Sequence, residues 1–228
     1  DDNGDNTTVE AEIANRTDAV LTTVAGNGAA IGYVSLGSLN DTVKAVTVDG
    51  VEATVDNVKS GDYTLSRPFN IATKGEPTGV AADFIGFIMS ADGQAIVGED
   101  YITVNDNAEA FTSDGSSGHI TVGGSSSVSP VMEQLIEAYK AVNPNAQIDL
   151  QTSDSTSGMT GAMDGTFAIG MASRELKDEE AAELTGTAIA LDGIAVVVNP
   201  ANTVENLTMD QIRSIYVGET TDWADVAA

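Results

Sequence analysis

The chain lacks cysteine, and it is short of histidine and of positive charge. Among its 228 residues there is no Cys, a single His, and only nine Lys and Arg against 35 Asp and Glu, which gives a net charge of −26. The missing cysteine excludes disulfides, zinc–thiolate sites and thiol nucleophiles. The strong negative charge argues against nucleic acid or an anionic membrane surface as a partner.

Long apolar runs are missing as well. No segment approaches the ~18 consecutive apolar residues of a membrane span, and the N-terminus has no basic and apolar signal pattern. We therefore expect a soluble body, or a mature form whose leader has been removed. Four residues of the acidic stretch 1–12 have the spacing of a calcium loop: Asp1, Asn3, Asp5 and Glu12. Because Asn6 stands where such a loop needs glycine, we predict a solvated end and no metal site.

A hydrophobic content of 42% is enough for one or two cores, and two lobes of roughly 100 residues are the natural division. In the first half, a helix capped by Asn15 is predicted to precede strands at 30–35 and 43–48, and residues 80–89 have helical spacing. Residues 105–118 are polar and rich in Ser, Asp and Gly, which is typical of a linker.

After this linker the pattern becomes a regular alternation of strands and helices. Strands are predicted at 120–122, 148–151 and 167–171, with helices at 131–142 and 159–163. An almost unbroken apolar run at 188–198 is typical of a strand buried on both faces of a parallel sheet. Thr208 is predicted to cap the last helix. The fold class is therefore α/β, with mixed and mainly parallel sheets.

Three polar loops share one design, in which each follows a predicted strand and precedes a helix. They are Gly123-Gly124-Ser125-Ser126-Ser127-Val128-Ser129-Pro130, Ser153-Asp154-Ser155-Thr156-Ser157-Gly158 and Met171-Ala172-Ser173-Arg174-Glu175. Such loops place hydroxyls and unbonded backbone N–H groups at helix N-termini, which is how proteins hold small anions. Because ligands sit at the carboxyl ends of strands in open parallel sheets, we expect the loops to converge. The sequence predicts a binding site for phosphate or a similar oxyanion.

Serine in any one of these loops has a simpler explanation, since serine is a common N-cap residue. Three such loops at one sheet edge favour an anion site over capping alone. The net charge of −26 opposes anion binding only weakly, because repulsion between distant charges is screened beyond ~8 Å at physiological salt. Local donors and helix dipoles act within that distance.

The same loops resemble the phosphate-binding proteins of phosphate ABC transporters, which have the type II periplasmic-binding-protein fold. The resemblance rests on GGSSSVSPVMEQLIEAY, SDSTSG, IGMASRELKDEE, ALDGIAVVVNP and LTMDQIRSIYVGETTDW from the family's N-terminal half, and on AIGYVSLGS, SRPFNIATKG and FIMSADGQAIV from its C-terminal half. Relative to the family the two halves stand in inverted order, which suggests a circular permutation with 105–118 as the joint. The chain also lacks the Ser-Gly-Thr-Arg segment, whose arginine caps the phosphate in the family. That segment is either supplied upstream of Asp1 or dispensed with.

The resemblance implies two α/β lobes with a ligand cleft between them. One lobe is expected at 67–195, and the other is expected to join 1–66 to 196–228. The crossing segments 66–71 and 190–198 are expected to form a hinge that closes around the anion.

The resemblance also implies the ligand-binding residues. Ser126 and Ser127 match the family's first phosphate-contacting loop, one through its hydroxyl and one chiefly through its N–H. Ser155 matches the hydroxyl donor of the second loop. Ser173 occupies a position at which many relatives have an aspartate that accepts the proton of the bound phosphate. Arg174 is the only cation in the three loops, and we expect it to be a charge partner of the anion.

Two of these assignments have alternatives. Arg174 could instead pair with an acid such as Glu175 or Asp178 at the surface, which would contribute little. The serine at position 173 leaves selectivity open, so that sulfate, molybdate or a small organic anion is an alternative ligand. A site with donors only accepts sulfate, whereas a carboxylate acceptor rejects it, and Asp154 and Asp192 are the nearby acids that could supply one.

An enzyme is the rival from another class. A serine hydrolase needs a base, but His119 and Ser126 would lie about 23 Å apart on one extended strand, and no nucleophile elbow or P-loop pattern is present. We therefore predict no catalytic residues, no cofactor and no metal. A structural or signalling relative with a degenerate pocket is a further alternative.

The expected partners follow from the resemblance. They are inorganic phosphate and the permease of an ABC transporter, and the chain is expected to be a monomer. It is expected to be extracytoplasmic, at the cell surface or in the periplasm, and to reach the membrane only through a lipid anchor outside this chain.

Overall fold

The computed structural model describes residues 6–226, so that Asp1, Asn3 and Asp5 of the calcium-like spacing lie outside the described residues. The helices are α1 (Thr17–Gly26), α2 (Val55–Ser60), α3 (Val80–Ile88), α4 (Ala91–Asp100), α5 (Ser129–Val142), α6 (Ser155–Asp164), α7 (Asp178–Ala181) and α8 (Met209–Tyr216). The strands are β1 (Ile31–Ser35), β2 (Lys44–Ala45), β3 (Thr47–Val48), β4 (Ser66–Thr73), β5 (Gly118–Ser125), β6 (Ala146–Ser153), β7 (Ile169–Ala172), β8 (Thr185–Val198) and β9 (Asn206–Leu207). Short 3₁₀ helices lie at Leu36–Ser38 and Trp223–Asp225.

The chain forms two compact units. One consists of Asp1–Leu65 and Ile194–Ala228, and the other is Ser66–Gly193. The chain passes from one unit to the other between Leu65 and Ser66, and again within β8, between Gly193 and Ile194.

The unit Ser66–Gly193 is built on a mixed sheet with the strand order β8-β4-β7-β5-β6. Strand β5 pairs parallel with both β6 and β7. Strand β4 pairs antiparallel with β7 and with the first part of β8. The prediction of mainly parallel pairing, and of the 188–198 run as a parallel strand, is therefore wrong for β8. Complete burial produces an apolar run in either direction, so that composition does not reveal the orientation of a strand.

Helices cover this sheet with closely packed apolar side chains. Pro130 lies in the first turn of α5, where a missing N–H costs nothing, and Val131, Leu135 and Tyr139 follow at the four-residue spacing of a buried helical face. The ring of Tyr139 lies 5.0 Å from that of Phe84 in α3. Burying a side chain the size of phenylalanine contributes about 1.5–3 kcal/mol, so these contacts hold α3 and α5 on the sheet.

A buried carboxylate, Asp83, joins α3 to the polar segment that precedes β5. Its oxygens accept hydrogen bonds from Tyr139 Oη at 2.6 Å, Ser113 Oγ at 2.6 Å, the Asp114 backbone N–H at 2.9 Å and Asn143 Nδ2 at 3.3 Å. We call Asp83 and these partners the Asp83 cluster. Residues 105–117 contain no helix or strand, and the predicted linker ends where Gly118 begins β5. The Asp83 cluster fixes part of that segment against the unit.

The other unit is organised around the last part of β8. Strand β1 pairs with it antiparallel, from Ile31 opposite Val198 to Ser35 opposite Ile194. The chain then changes partners, since β2 pairs with β8 and β3 pairs with β9, which explains why the predicted strand 43–48 is two short strands.

Two helix caps show how far local sequence carries. Thr208 caps α8 as predicted, with its Oγ1 accepting from the Gln211 N–H and the Gln211 side chain accepting from the Thr208 N–H. The prediction of Asn15 as the cap of α1 is wrong, because Arg16 holds the N-cap position and makes no side-chain cap. Among residues 6–226, no single helix has the length and apolar composition of a membrane span; α3 and α4 meet that criterion only together, as a pair bent by 57°.

Candidate anion-binding site

The three predicted loops follow strands whose register brings their ends together. In the parallel pairing of β5 with β6, Ser125 lies opposite Ser153, and in the pairing of β5 with β7, Gly124 lies opposite Met171. The loops after β5 and β6 lead directly into α5 and α6. All three loops therefore lie at one edge of the sheet, as the sequence predicted.

Two glycines allow the loops to approach this closely. A Cβ atom on Gly124 would collide with the carbonyl oxygen of Met171 and would lie 2.9 Å from the Cα atom of Gly158. A Cβ atom on Gly158 would lie 2.5 Å from the same Met171 oxygen. Gly124 also has a φ of 137°, in the region that favours glycine. These residues let the first turn of α6 rest on the ends of β5 and β7.

Backbone N–H groups of the first loop are bonded within that loop or to the neighbouring second loop. Ser126 N donates to the Ser153 carbonyl at 3.0 Å, Val128 N to the Ser125 carbonyl at 3.1 Å, and Ser127 N to Ser125 Oγ at 3.3 Å. The expectation of unbonded N–H groups is therefore wrong for these three residues. The tight turn and the contact with the second loop use N–H donors that an unstructured loop would leave to a ligand.

Three serine hydroxyls, one from each loop, meet at this edge. Ser125 Oγ donates to Ser173 Oγ at 3.0 Å, and Ser155 Oγ lies 3.4 Å from the same oxygen. The Ser173 N–H also donates to Ser155 Oγ at 3.1 Å. We call Ser125, Ser155 and Ser173 the serine cluster. Sequence reasoning did not select Ser125, although it lies beside the selected pair in the same run of serines.

The two acids proposed as acceptors are both committed to other groups. Asp154 is the N-cap of α6 and accepts from the Ser157 N–H at 2.9 Å and from Ser157 Oγ at 2.7 Å. Burial alone would raise the pKa of Asp154, but the hydrogen bonds from Ser157 and its neighbours outweigh burial and lower that pKa. Asp192 is completely buried and forms an ion pair with Arg67, whose Nε lies 3.1 Å from Asp192 Oδ2.

Arg174 has a buried partner that the sequence did not indicate. Its guanidinium makes two bonds of 2.7 Å to the carboxylate of Glu180, the side chain of which is 3% exposed, and a third to the carbonyl of Glu175. The paired arginine, opposed by burial, lowers the pKa of Glu180. Asn70 of β4 binds the Arg174 carbonyl at 2.9 Å. Arg174 is thus a fixed part of the third loop, and neither Glu175 nor Asp178 neutralises it through its side chain in these contacts.

Arg67 is the functional candidate that the sequence analysis missed, since there it stands only within the motif SRPFNIATKG. Its Nη2 donates to Ser127 Oγ at 3.1 Å, which links β4 to the first serine loop. The signal that could have found it is the scarcity of cations, because each of the nine Lys and Arg in so acidic a chain has to be accounted for.

Histidine is far from this edge of the sheet. His119 lies near the start of β5, at the end opposite the serine loops, and its Nε2 is 2.8 Å from Asp149 Oδ2 in an exposed pair. Within residues 6–226, no group of three or more His, Cys, Asp and Glu side chains could hold a metal ion. The arrangement offers hydroxyl donors and paired cations, which is chemistry for binding an anion.

Comparison with known proteins defines the class to which this site belongs. Residues 109–228 match the family model of the PBP superfamily domain. Phosphate-binding protein PstS 2 of Streptococcus agalactiae serotype V is 49% identical over 225 residues, which cover 98% of this chain and 77% of that protein. PstS 2 of Streptococcus pneumoniae serotype 4 is 46% identical over 220 residues, with 96% of this chain and 76% of that protein covered.

A solved structure agrees with these sequence matches. The phosphate-binding protein of a phosphate ABC transporter from Streptococcus pneumoniae TIGR4 superposes with a TM-score of 0.75 at 45% identity, covering 98% of this chain and 87% of that one. The chain therefore belongs to the PBP superfamily and, within it, to the PstS family. The resemblance and the fold class inferred from sequence are confirmed, whereas the inverted order of the two halves stays a prediction.

Proposed function

We propose that the chain captures inorganic phosphate outside the cytoplasmic membrane and delivers it to an ABC importer. The observation that carries this proposal is the serine cluster, which brings one hydroxyl from each of three loops to a single sheet edge. Its relatives, at 46–49% identity over nearly the whole chain, are named phosphate-binding proteins. The function is binding and release without bond chemistry, as expected of a substrate-binding protein.

In the proposed complex, phosphate is held by Ser126, Ser127, Ser155 and Ser173. The serine hydroxyls replace water around the anion, and hydrogen bonds to a charged group contribute roughly 1.5–3 kcal/mol each. Arg174 is proposed as a charge partner that acts together with Glu180, because the two form one bidentate pair. The Arg174–Glu180 pair is held in place before the ligand arrives, which reduces the entropy cost of ordering the site on binding.

A second ligand, sulfate, is favoured by one specific observation. Ser173 supplies a hydroxyl where many relatives are expected to have a carboxylate, and both neighbouring acids, Asp154 and Asp192, are bonded to other groups. A site whose selectivity does not depend on a carboxylate acceptor holds sulfate as well as phosphate.

The experiment that tests the function is isothermal titration of the chain, freed of bound anion, with phosphate and then with sulfate. We expect saturable phosphate binding at micromolar concentration or tighter, which four to six donors can provide. If sulfate also binds and competes with phosphate, the chain is a less selective oxyanion receptor. Absence of heat with both anions, together with unchanged thermal stability, would contradict the proposal, because any ligand that binds the folded state raises its stability.

The partners are proposed on the same basis. The permease of a phosphate ABC transporter is the expected recipient, and the chain is expected to act as a monomer. A lipid anchor outside the present sequence is the proposed attachment to the membrane. Sedimentation of the phosphate-bound protein checks the monomer directly, and a dimer at micromolar concentration would contradict it.

A further inference from the structure

Arg67 lies beside the serine loops in a way that nothing in its local sequence indicates. It is in β4, and its Cα pairs with that of Asp192 across the antiparallel ladder to β8. The Asp192 side chain is 0% exposed, whereas the Arg67 side chain is 18% exposed. The carboxylate is thus sealed in the unit, whereas the arginine side chain keeps some exposure to solvent.

Three contacts fix the orientation of this guanidinium. Nε is bonded to Asp192 Oδ2 at 3.1 Å, Nη2 donates to Ser127 Oγ at 3.1 Å, and the guanidinium carbon lies 5.8 Å from the centre of the Phe69 ring. Because a guanidinium is planar with five N–H donors, fixing Nε and Nη2 also fixes Nη1, which takes part in neither hydrogen bond. The arginine is therefore held rigidly before any ligand binds.

The contrast with Arg174 shows what this geometry leaves available. Arg174 presents two nitrogens to one carboxylate in a bidentate pair with bonds of 2.7 Å. Arg67 bonds its carboxylate through Nε at 3.1 Å, and its Nη2 donates to Ser127 of the first serine loop. An oxyanion bound at that loop can receive a charge-assisted bond from such a fork, as guanidinium groups commonly provide to phosphate oxygens.

We propose that Arg67 is an anion-contacting residue, held by Asp192 so that its guanidinium faces an oxyanion bound beside Ser127. This inference rests on the proposed function and names a residue that function did not require. Asp192 is a positioning residue in this account, since it acts through Arg67. Its negative charge also balances the arginine when the site is empty, which limits the cost of keeping a partly buried cation.

The test is titration with inorganic phosphate of four proteins: the native chain, Arg67→Gln, Arg67→Lys and the double variant Arg67→Gln/Asp192→Asn, each with its thermal midpoint. Arg67→Gln is expected to weaken phosphate binding about tenfold or more, since a charge-assisted bond is lost. Arg67→Lys keeps the positive charge but lacks the paired N–H donors of a guanidinium, so we expect its phosphate affinity to lie between those of the native chain and Arg67→Gln. The double variant replaces an ion pair by a neutral amide pair and is expected to fold better than Arg67→Gln while binding no better.

Lys140→Gln is the matched control for the loss of one positive charge in the same unit. Lys140 is half-exposed near the C-terminal end of α5, about 15 Å from the first turn of that helix. The phosphate affinity of Lys140→Gln is expected to stay within about twofold of native. If the native chain binds phosphate and both Arg67→Gln and the double variant bind it within twofold of native, the inference about Arg67 is overturned while the proposed function stands. If the native chain bound no phosphate, the proposed function would fail, and this inference with it. A loss confined to variants with a lowered thermal midpoint, and recovered in the double variant, would reduce Arg67 to a structural role.

Discussion

The Asp83 cluster and the serine cluster lie in the same unit, and they differ in how far their polar groups are hydrogen-bonded within the protein. Asp83 is a buried carboxylate that accepts from four donors, so its hydrogen-bonding capacity is filled from within the protein. The serine cluster consists of hydroxyls at a sheet edge that bond to one another at 3.0–3.4 Å without a carboxylate among them. A saturated network stabilises the fold, whereas hydroxyls that can reorient toward a ligand provide binding.

The largest expected effect comes from breaking the first of these clusters. Asp83→Ala leaves the donors of Tyr139, Ser113 and Asn143 without their shared acceptor in a buried place. We expect a loss of about 3 kcal/mol or more in the free energy of unfolding, measured by urea denaturation, and a fall of roughly 6–12 °C in the thermal midpoint. Phosphate affinity is expected to stay within twofold. A large loss of affinity in the folded variant would show that the two clusters are not separate in function.

The second prediction adds to the serine cluster the group that it lacks. Ser173→Asp places a carboxylate beside Ser125 and Ser155, where it can accept the proton of a protonated phosphate but meets only repulsion from sulfate. We expect sulfate binding to weaken about a hundredfold while phosphate binding changes little, as measured by titration with each anion. Equal losses for both anions would show that the new carboxylate repels phosphate as well and does not accept its proton, and no loss for either anion would place the variant side chain outside the pocket. Gln134→Glu, on the exposed face of α5 and outside the three loops, is the control for added charge.

The third prediction removes one hydroxyl from the serine cluster. Ser155→Ala deletes an oxygen that lies near Ser173 and accepts the Ser173 N–H at 3.1 Å. Phosphate affinity is expected to fall about tenfold, with a thermal midpoint within a few degrees of native. Ser60→Ala, at an exposed hydroxyl in the other unit, supplies the matched control and should leave affinity unchanged. Unchanged affinity in Ser155→Ala would remove this residue from the site.

The smallest expected effect is a difference in acid sensitivity. Burial alone would raise the pKa of Asp83, but hydrogen bonds from Ser113, Tyr139, Asp114 and Asn143 outweigh burial and lower that pKa. A carboxyl group with a lowered folded-state pKa stabilises the fold above its unfolded value of about 3.9, and this stabilisation is lost as the pH falls through the folded-state pKa. Unfolding free energies between pH 7 and pH 3 should therefore decline less steeply in Asp83→Asn than in the native chain. Parallel curves would show that Asp83 does not contribute to the acid response.

The sequence was sufficient for features that depend on neighbours along the chain. The run of serines and the strand–loop–helix alternation are local, and they predicted the loops and their place at the sheet edge. The Thr208 cap is local too, and it predicted the start of α8. The family resemblance added the fold, because long ordered motifs carry information that periodicity does not.

Features that depend on distant pairing were not predictable in this way. Arg67 meets Asp192 across 125 positions of sequence, in an antiparallel register that composition does not reveal. Arg174 selects Glu180 over the nearer Glu175 and Asp178 because α7 turns that carboxylate back toward the loop. The close approach at Gly124 and Gly158 likewise exists only once three strands and a helix are assembled.

The central claim is that phosphate binds at the sheet edge formed by the three serine loops, and the most direct test is a titration of the isotope-labelled protein with inorganic phosphate followed by amide NMR. The account predicts saturable shifts concentrated at residues 125–129, 153–157 and 172–174, with a side-chain response from Arg67. Saturable shifts that centred elsewhere, for instance around Lys140 at the far end of α5, would contradict it, as would a spectrum unchanged by phosphate.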